Sequence, residues 1–477
     1  MTRITDLQPA QLWKHFDAIS KIPRCSKNEE AAGEYVKEFA RTREYQFRQD
    51  AAGNIVVKIP ASPGHENKPG IVLQGHLDMV CEKNADKSFD FEKDAIEVQI
   101  KDEWITADGT TLGADNGIGL AASLAVAEDD TVIHGPLELL FTTDEETGLN
   151  GANALKSDFL QGRILLNLDS EEEGTFFIGC AGGGDSQIRL PLKRSSSPHP
   201  AFRIALKGLR GGHSGIDIHT GRGNAIQLLA RILLELTVKY QLVSLEGGSK
   251  HNAIPREAFA VIHCDQDVLL KSSLNERFEK IKFEYKTVEK DMTLSVESVQ
   301  PVMDPMQQKD QERSLNLIMG LPHGVMAMSQ EIPGLVETSN NLAIVKNTES
   351  ELMIYTSSRS SILSALEATR KKIQAIADLA GAETEHLQGY PAWTPNLESP
   401  ILKTMKSIHL YVTGKESKVE AIHAGLECGI IGEKFSGMDM ISFGPDLKNP
   451  HSPDERVHIA SVGRFYNLLK ETLKALA

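Results

Sequence analysis

Cysteine is scarce: the 477 residues contain five (Cys25, Cys81, Cys180, Cys264 and Cys428), far apart and never in a Cys-x-x-Cys pair. That number and spacing argue against a disulfide framework and a thiolate zinc knuckle, and reduced, mostly buried thiols are expected. Long apolar runs are missing too. Nothing approaches the roughly 20 apolar residues of a membrane span, and Met1 to Lys37 mixes both charge signs without a signal-peptide core. A cytoplasmic location is the expectation. Basic excess is also lacking, because 51 Lys and Arg face 66 Asp and Glu for a net charge of −15. Such a surface repels phosphate backbones and anionic lipid heads, so neither nucleic acid nor membrane is an expected partner. With no low-complexity or repeat-length bias, 40% hydrophobic and 25% charged residues describe an ordinary globular chain, whose length favours two domains.

What is present is an alternation of strands and helices. Pro9 to Ile19 and Glu29 to Arg41 carry helical periodicity, Asn54 to Ile59 reads as a strand, and Gly70 to Gly75 is apolar on both faces. Leu112 to Glu128 reads as a small-residue helix, followed by apolar strands at Pro136 to Thr143 and Arg163 to Leu168. This pattern predicts an α/β fold with a mainly parallel sheet and helices on both faces. From about Ser186 to Trp393 half-exposed strands (Phe202 to Lys207, Ala258 to Cys264, Leu342 to Lys346, Leu352 to Thr356) flank helices at Asn224 to Tyr240 and around Ile362 to Ile376. That stretch reads as an inserted α+β domain, with an order that recurs as if in two related halves. The α/β texture returns after Pro395. The expected division is 1–185 with 394–477 as one domain, and 186–393 as the other.

The ionisable residues fall in a pattern. His76 and Asp78 follow one predicted strand, Glu145 and Glu146 another, Asp169 a third, and His451 lies past the strand Met440 to Phe443. In an open α/β sheet the carboxyl ends of the strands converge on one crevice. Asp115, at a helix start, belongs on the same rim. Taken singly, each has a bland reading as a solvated pair or a structural His-x-Asp. Jointly they do not, because a buried group of carboxylates without cations is strongly unfavourable. Two His and several carboxylates suit zinc, or cobalt or manganese. In a two-ion arrangement Asp115 can bridge, His76 and Asp169 can hold one ion, and Glu146 and His451 the other. Asp78 can orient His76 by accepting its second N–H, and Glu145 can act as general base toward metal-bound water. His134, His263, His323 and His409 lack such settings.

Six segments then carry a resemblance: Leu73-Gln-Gly-His-Leu-Asp-Met79, Gly113-Ala-Asp-Asn-Gly-Ile-Gly119, Thr143-Asp-Glu-Glu-Thr-Gly148, Asn167-Leu-Asp169, Leu209-Arg-Gly-Gly-His-Ser-Gly215 and His451-Ser-Pro-Asp-Glu-Arg456. Together with His423-Ala-Gly-Leu-Glu-Cys-Gly429 they resemble the M20 metallopeptidases, and within them a dipeptidase branch that uses Asp169 where some relatives have Glu. The resemblance implies the same ligands and base, two Zn2+ ions, a lid domain at 186–393 and a homodimer formed through it. It also implies hydrolysis of unblocked dipeptides, including Xaa-His and β-alanyl-histidine, with His213 stabilising the oxyanion in a partner's active site. Arg359 and Asn252 match lid residues that would meet the substrate carboxylate, although either can be read as a turn or surface residue. Glu427 is an anionic candidate for the substrate ammonium. Two alternatives stay open: an N-acyl amino acid amidohydrolase on the same scaffold, and a non-catalytic metal- or peptide-binding module.

Overall fold

The computed structural model describes residues 3–300 and 303–477. The chain divides into two compact units: residues 1–179, 393–421 and 426–477 form the first, and residues 180–392 with 422–425 the second. Residues 422–425 read from the sequence as part of the first domain. They belong to the second unit, where the Ala181 N–H donates to the Ile422 and Ala424 carbonyls.

The first unit is built on an eight-stranded sheet. Its parallel part is the strands Leu137–Thr142, Ile71–His76, Ile164–Asn167 and Asp439–Ser442. The flanking strands Gln46–Gln49, Ile55–Ile59 and Thr175–Cys180 pair antiparallel, which makes the sheet mixed. Every residue of Ile71–His76 and of Leu137–Thr142 is buried, as continuous apolar runs require when both faces are covered. The helix Ala10–Ser20 buries Leu12, Trp13, Phe16 and Ile19, one stripe at helical spacing. It packs on the helix Ala114–Glu128, whose small residues allow close approach: a Cβ at Gly117 would come within 2.9 Å of Arg24 Nη2 and 3.1 Å of Phe16. Each large side chain in this layer contributes about 1.5–3 kcal/mol by leaving water. A small antiparallel sheet that the sequence did not suggest joins Arg456–His458 to Trp104–Ala107 and to Leu447–Lys448. It anchors both ends of the loop carrying His451.

The second unit has its own apolar core, including Ile188, Ile204, Leu229, Leu245, Ile262 and Ile354. Nine of its strands form one sheet, Gly212–His213 and Ala253–Ile254 form a separate short ladder, and the described pairs are antiparallel. The two expected halves are therefore merged in a single sheet, paired through Gln241–Gly247 and Val336–Asn347. The helix expected to reach Tyr240 ends at Leu234, and its start is capped by Asn224, which accepts from the Ile226 and Gln227 amides.

One expectation is corrected. Cys25 and Cys81 are disulfide-bonded across a sequence separation of 56, while Cys180, Cys264 and Cys428 are buried and not disulfide-bonded. Separation in sequence concealed the pair: the segment after the first long helix runs beside the one after Ile71–His76, with a parallel bridge between Cys25 and Met79. Among the described residues, no helix is long and apolar enough to cross a membrane.

Closing a loop of that size restricts the unfolded chain. Cys81→Ser, or reduction, is expected to lower the stability of the first unit by about 2–4 kcal/mol, measured by chemical denaturation with and without dithiothreitol.

Candidate functional site

The parallel register sets His76 beside Thr142 and Gln74 beside Asn167, so the carboxyl ends of three central strands lie level. His76 is the last residue of its strand, and Glu145, Glu146 and Asp169 follow the other two. Asp115 comes from the start of the helix Ala114–Glu128, where its own backbone is not yet helical. Of these residues only His451 is exposed, on a loop where its φ is +59°.

Two triads result. His76 Nε2 lies 3.0 Å from Asp115 Oδ1 and 3.3 Å from Asp169 Oδ1. His451 Nε2 lies 3.2 Å from Asp115 Oδ2 and 3.0 Å from Glu146 Oε2. Within each triad the ligand atoms fall within 4.8 Å of one another, and Asp115 belongs to both. The group demands positive charge. Burial lowers the His76 imidazole more than any other single effect, yet Asp169, Asp115 and Asp78 together raise it well above the usual range. Hydrogen bonds to Asp115 and Glu146 push His451 up to about 11. Burial beside the other carboxylates raises Asp169 to about 7. Glu146 Oε1 and Asp169 Oδ1 are buried without a hydrogen-bond partner. Imidazole and carboxylate donors with orphaned oxygens, aimed at common points, fit a pair of divalent cations.

Asp78 organises this group from behind. Its main-chain carbonyl is 3.1 Å and its carboxylate 3.3 Å from His76 Nδ1, which leaves Nε2 facing the triad. The carboxylate also accepts from the amides of Glu145 and Glu146 and from the Ser26 hydroxyl. Burial raises its pKa, but the His76 hydrogen bond and charge outweigh it and hold Asp78 at about 2. Glu145 also comes within reach of His76 and Glu146. Its carboxyl is raised well above the usual range, chiefly by burial and then by Asp169, Glu427 and Glu146 against the opposing His76. Glu427, at the start of the helix Glu427–Lys434, accepts at Oε2 from Gln74 (2.6 Å) and Thr142 (2.7 Å), while Oε1 is buried without a partner. Burial lifts it to about 7. Gln74 is held in turn by Asn167, a polar chain between apolar strands that the sequence reading missed.

The remaining candidates lie in the second unit. His213 pairs with Ala253 in a short ladder, and its Nδ1 accepts from the Gly215 and Ile216 amides, which leaves the proton on Nε2. Burial, then Arg359, lowers its pKa and keeps the ring neutral. Arg359 is buried near the end of the strand Glu351–Ser360 and donates from Nη1 to the Tyr390 hydroxyl at 2.7 Å while Nε is orphaned. Asn252 is exposed in the turn before Ala253, and its carbonyl accepts from Ser214. Tyr390 and His423 were not anticipated as neighbours of Arg359; His423 stood in a quoted motif, but nothing in the sequence aimed it there. It is buried, bonds Ser339 Oγ at 2.7 Å, and has an orphaned Nδ1.

Two predictions follow from these contacts. Asp78→Ala removes the carboxylate that faces the His76 ring and holds the Glu145 and Glu146 amides, leaving the ring only a main-chain carbonyl, and is expected to weaken divalent-ion affinity roughly 10- to 100-fold in equilibrium dialysis. His423 is pushed down to about 3, first by burial and then by Arg359 and His213. A depressed pKa means that the unfolded chain takes the proton first. The stability that the neutral ring contributes is thus intact above its ordinary value of about 6.5 and erodes as pH falls toward 3. Calorimetry is expected to show the melting of the second unit falling through that window, less steeply in His423→Gln.

Residues 72–475 match the sequence model described as Peptidase family M20/M25/M40. The chain is 43% identical to the cytosol non-specific dipeptidase of Escherichia coli (strain K12), over 100% of this chain and 99% of that protein. The crystal structure of the aminoacylhistidine dipeptidase from Vibrio alginolyticus matches with a TM-score of 0.90 and 43% identity, covering 99% of this chain and 98% of that one. Aminopeptidase PepT from Bacillus cereus ATCC 10987 covers 98% of this chain and 99% of its own at 15% identity and a TM-score of 0.58, a likeness of fold alone. A donor cage assembled from five distant segments, and a match that spans nearly the whole chain, lead to one assignment: the chain belongs to Peptidase family M20/M25/M40.

Proposed function

We propose that this protein is a dinuclear zinc dipeptidase that hydrolyses unblocked dipeptides, Xaa-His and β-alanyl-histidine among them. The observation that carries the reading is the pair of His and carboxylate triads sharing Asp115, with the buried Glu145 beside them. His76 and Asp169 would hold one ion, Glu146 and His451 the other, and Asp115 both. Ions bound there would polarise the scissile carbonyl and acidify a water. Glu145, whose proton affinity is raised by burial, takes the proton of the attacking water and returns it to the leaving amine. Asp78 fixes the His76 tautomer and the backbone of Glu145 and Glu146.

Selection by length would follow from two charge sites. Glu427 Oε1, buried without a partner, is suited to the substrate ammonium, and Arg359, with an orphaned Nε, to the carboxylate, with Asn252 nearby in sequence to the His213 ladder. We assign His213 the oxyanion-donor role in a second copy of the chain. Its neutral ring with the proton on Nε2 supports that role. In this reading residues 186–393 are a lid and the homodimer contact. The cytoplasm is the proposed location, as the name of the Escherichia coli relative suggests for that protein.

Purified protein is expected to cleave L-alanyl-L-histidine faster than N-acetyl-histidine, to lose activity on chelation and to regain it with zinc. Faster turnover of the acetylated compound would reject the dipeptidase reading. Glu145→Gln is expected to lower kcat about 10²- to 10⁴-fold while two ions remain bound in elemental analysis. Unimpaired hydrolysis would remove Glu145 from its role.

A further inference from the structure

We infer that Glu455 is the positioning residue of the metal centre, fixing the peptide loop that ends at Asp115. The inference rests on the reading of the two triads as a metal site. Glu455 is buried, only 2% exposed, and is joined to no cation by a direct ion pair among the described residues. Its two oxygens instead accept four successive backbone amides: Oε2 from Leu112 (2.7 Å) and Gly113 (2.9 Å), Oε1 from Ala114 (2.7 Å) and Asp115 (3.2 Å). A buried carboxylate is tolerated only when such bonds satisfy it.

The same loop is held from its other side. Arg24, 1% exposed, donates from Nη2 to the Gly113 carbonyl, and from Nη1 to the Leu77 and Asp78 carbonyls at 3.0 and 2.7 Å. Gly113 takes φ +69° there, and a Cβ on it would meet Arg24 Nη2 and Met79 Sδ at 2.6 Å. Amides on one face and a carbonyl on the other hold the loop from both sides. Its last residue, Asp115, is the one that must present Oδ1 to the His76 group and Oδ2 to the His451 group at once.

The origin of Glu455 gives the contact its consequence. It lies on the loop that carries His451, where the Glu455 amide donates to the Ser452 carbonyl and the Ser452 hydroxyl to the Asn449 carbonyl. Arg456, the next residue, is already paired with Thr106 in the small sheet. One segment therefore supplies a ligand and sets the angle of the ligand shared by both ions, across more than three hundred positions of chain. A plain helix-start anion would stabilise the helix Ala114–Glu128 without affecting the metal.

The test uses the full-length protein. In the metal-free wild type, hydrogen exchange read by mass spectrometry is expected to be slow at the amides of 112–115. In Glu455→Gln, which offers one acceptor oxygen and turns an NH2 toward two donors, exchange at these amides is expected to rise about tenfold or more. The cobalt dissociation constant is expected to rise roughly 10- to 100-fold, with a weakened d–d absorption band, while exchange in the rest of the helix is unchanged. Glu455→Asp, which keeps both oxygens on a shorter stem, is expected to fall between. Wild-type cobalt affinity in Glu455→Gln would overturn the inference. So would fast exchange at 112–115 in the wild type, a result that needs no variant to fold. A wild type that binds no cobalt would instead bring down the metal-site reading, and this inference with it.

Discussion

Like charges crowded at the carboxyl ends of the parallel strands are the constraint to which the first unit is fitted. Asp115, Glu146 and Asp169 converge on two imidazoles, with Glu145 and Glu427 behind them. Carboxylates this close and this buried oppose one another's ionisation, which is why burial and neighbours lift Asp169 and Glu427 to about 7 and raise Glu145 well above the usual range. Divalent cations held there would relieve that opposition. The apolar helices and strands around it supply the stability against which such a site can be held.

Holding it is the task of a polar frame that does not itself offer ligands. Asp78 binds a ring and two amides, Glu455 binds four amides, and Arg24 binds three carbonyls. Each charged group bonds the backbone beside one or more of the candidate metal-binding residues. Charge-assisted bonds to main chain are shorter and stronger than neutral ones, so they fix position with few atoms. The frame thereby ties down the backbone of Asp115, Glu145 and Glu146 and the ring of His76.

The second unit works on other terms. Its own core and one continuous sheet present Arg359, Tyr390, His423 and His213 as a cationic and donor-rich group, with Asp185 and His251 paired beside it at 2.9 Å. Arg359 stands between Ser339 and Gly183 in the sheet, so its guanidinium is placed by strand register. The neighbouring imidazoles are kept neutral by burial and by that same charge.

Much of this was legible in the chain alone. Apolar runs such as Ile71–His76 and the stripe Leu12, Trp13, Phe16 and Ile19 fix their own secondary structure, because burial on both faces or on one stripe follows from local spacing. The placement of ionisable residues at strand ends was equally readable, since His76, Asp169 and Glu146 each sit at or just past the end of an apolar run. Partners drawn from far along the chain were not. The Cys25–Cys81 bond, the small sheet at Arg456–His458, the merging of two strand groups into one sheet and the insertion of 422–425 all depend on long-range register. So do Glu455 on the Asp115 loop and His423 beside Arg359. Local pattern states which face a residue turns inward; only the folded chain decides what it meets there, because that contact is chosen by the packing of every other element at once.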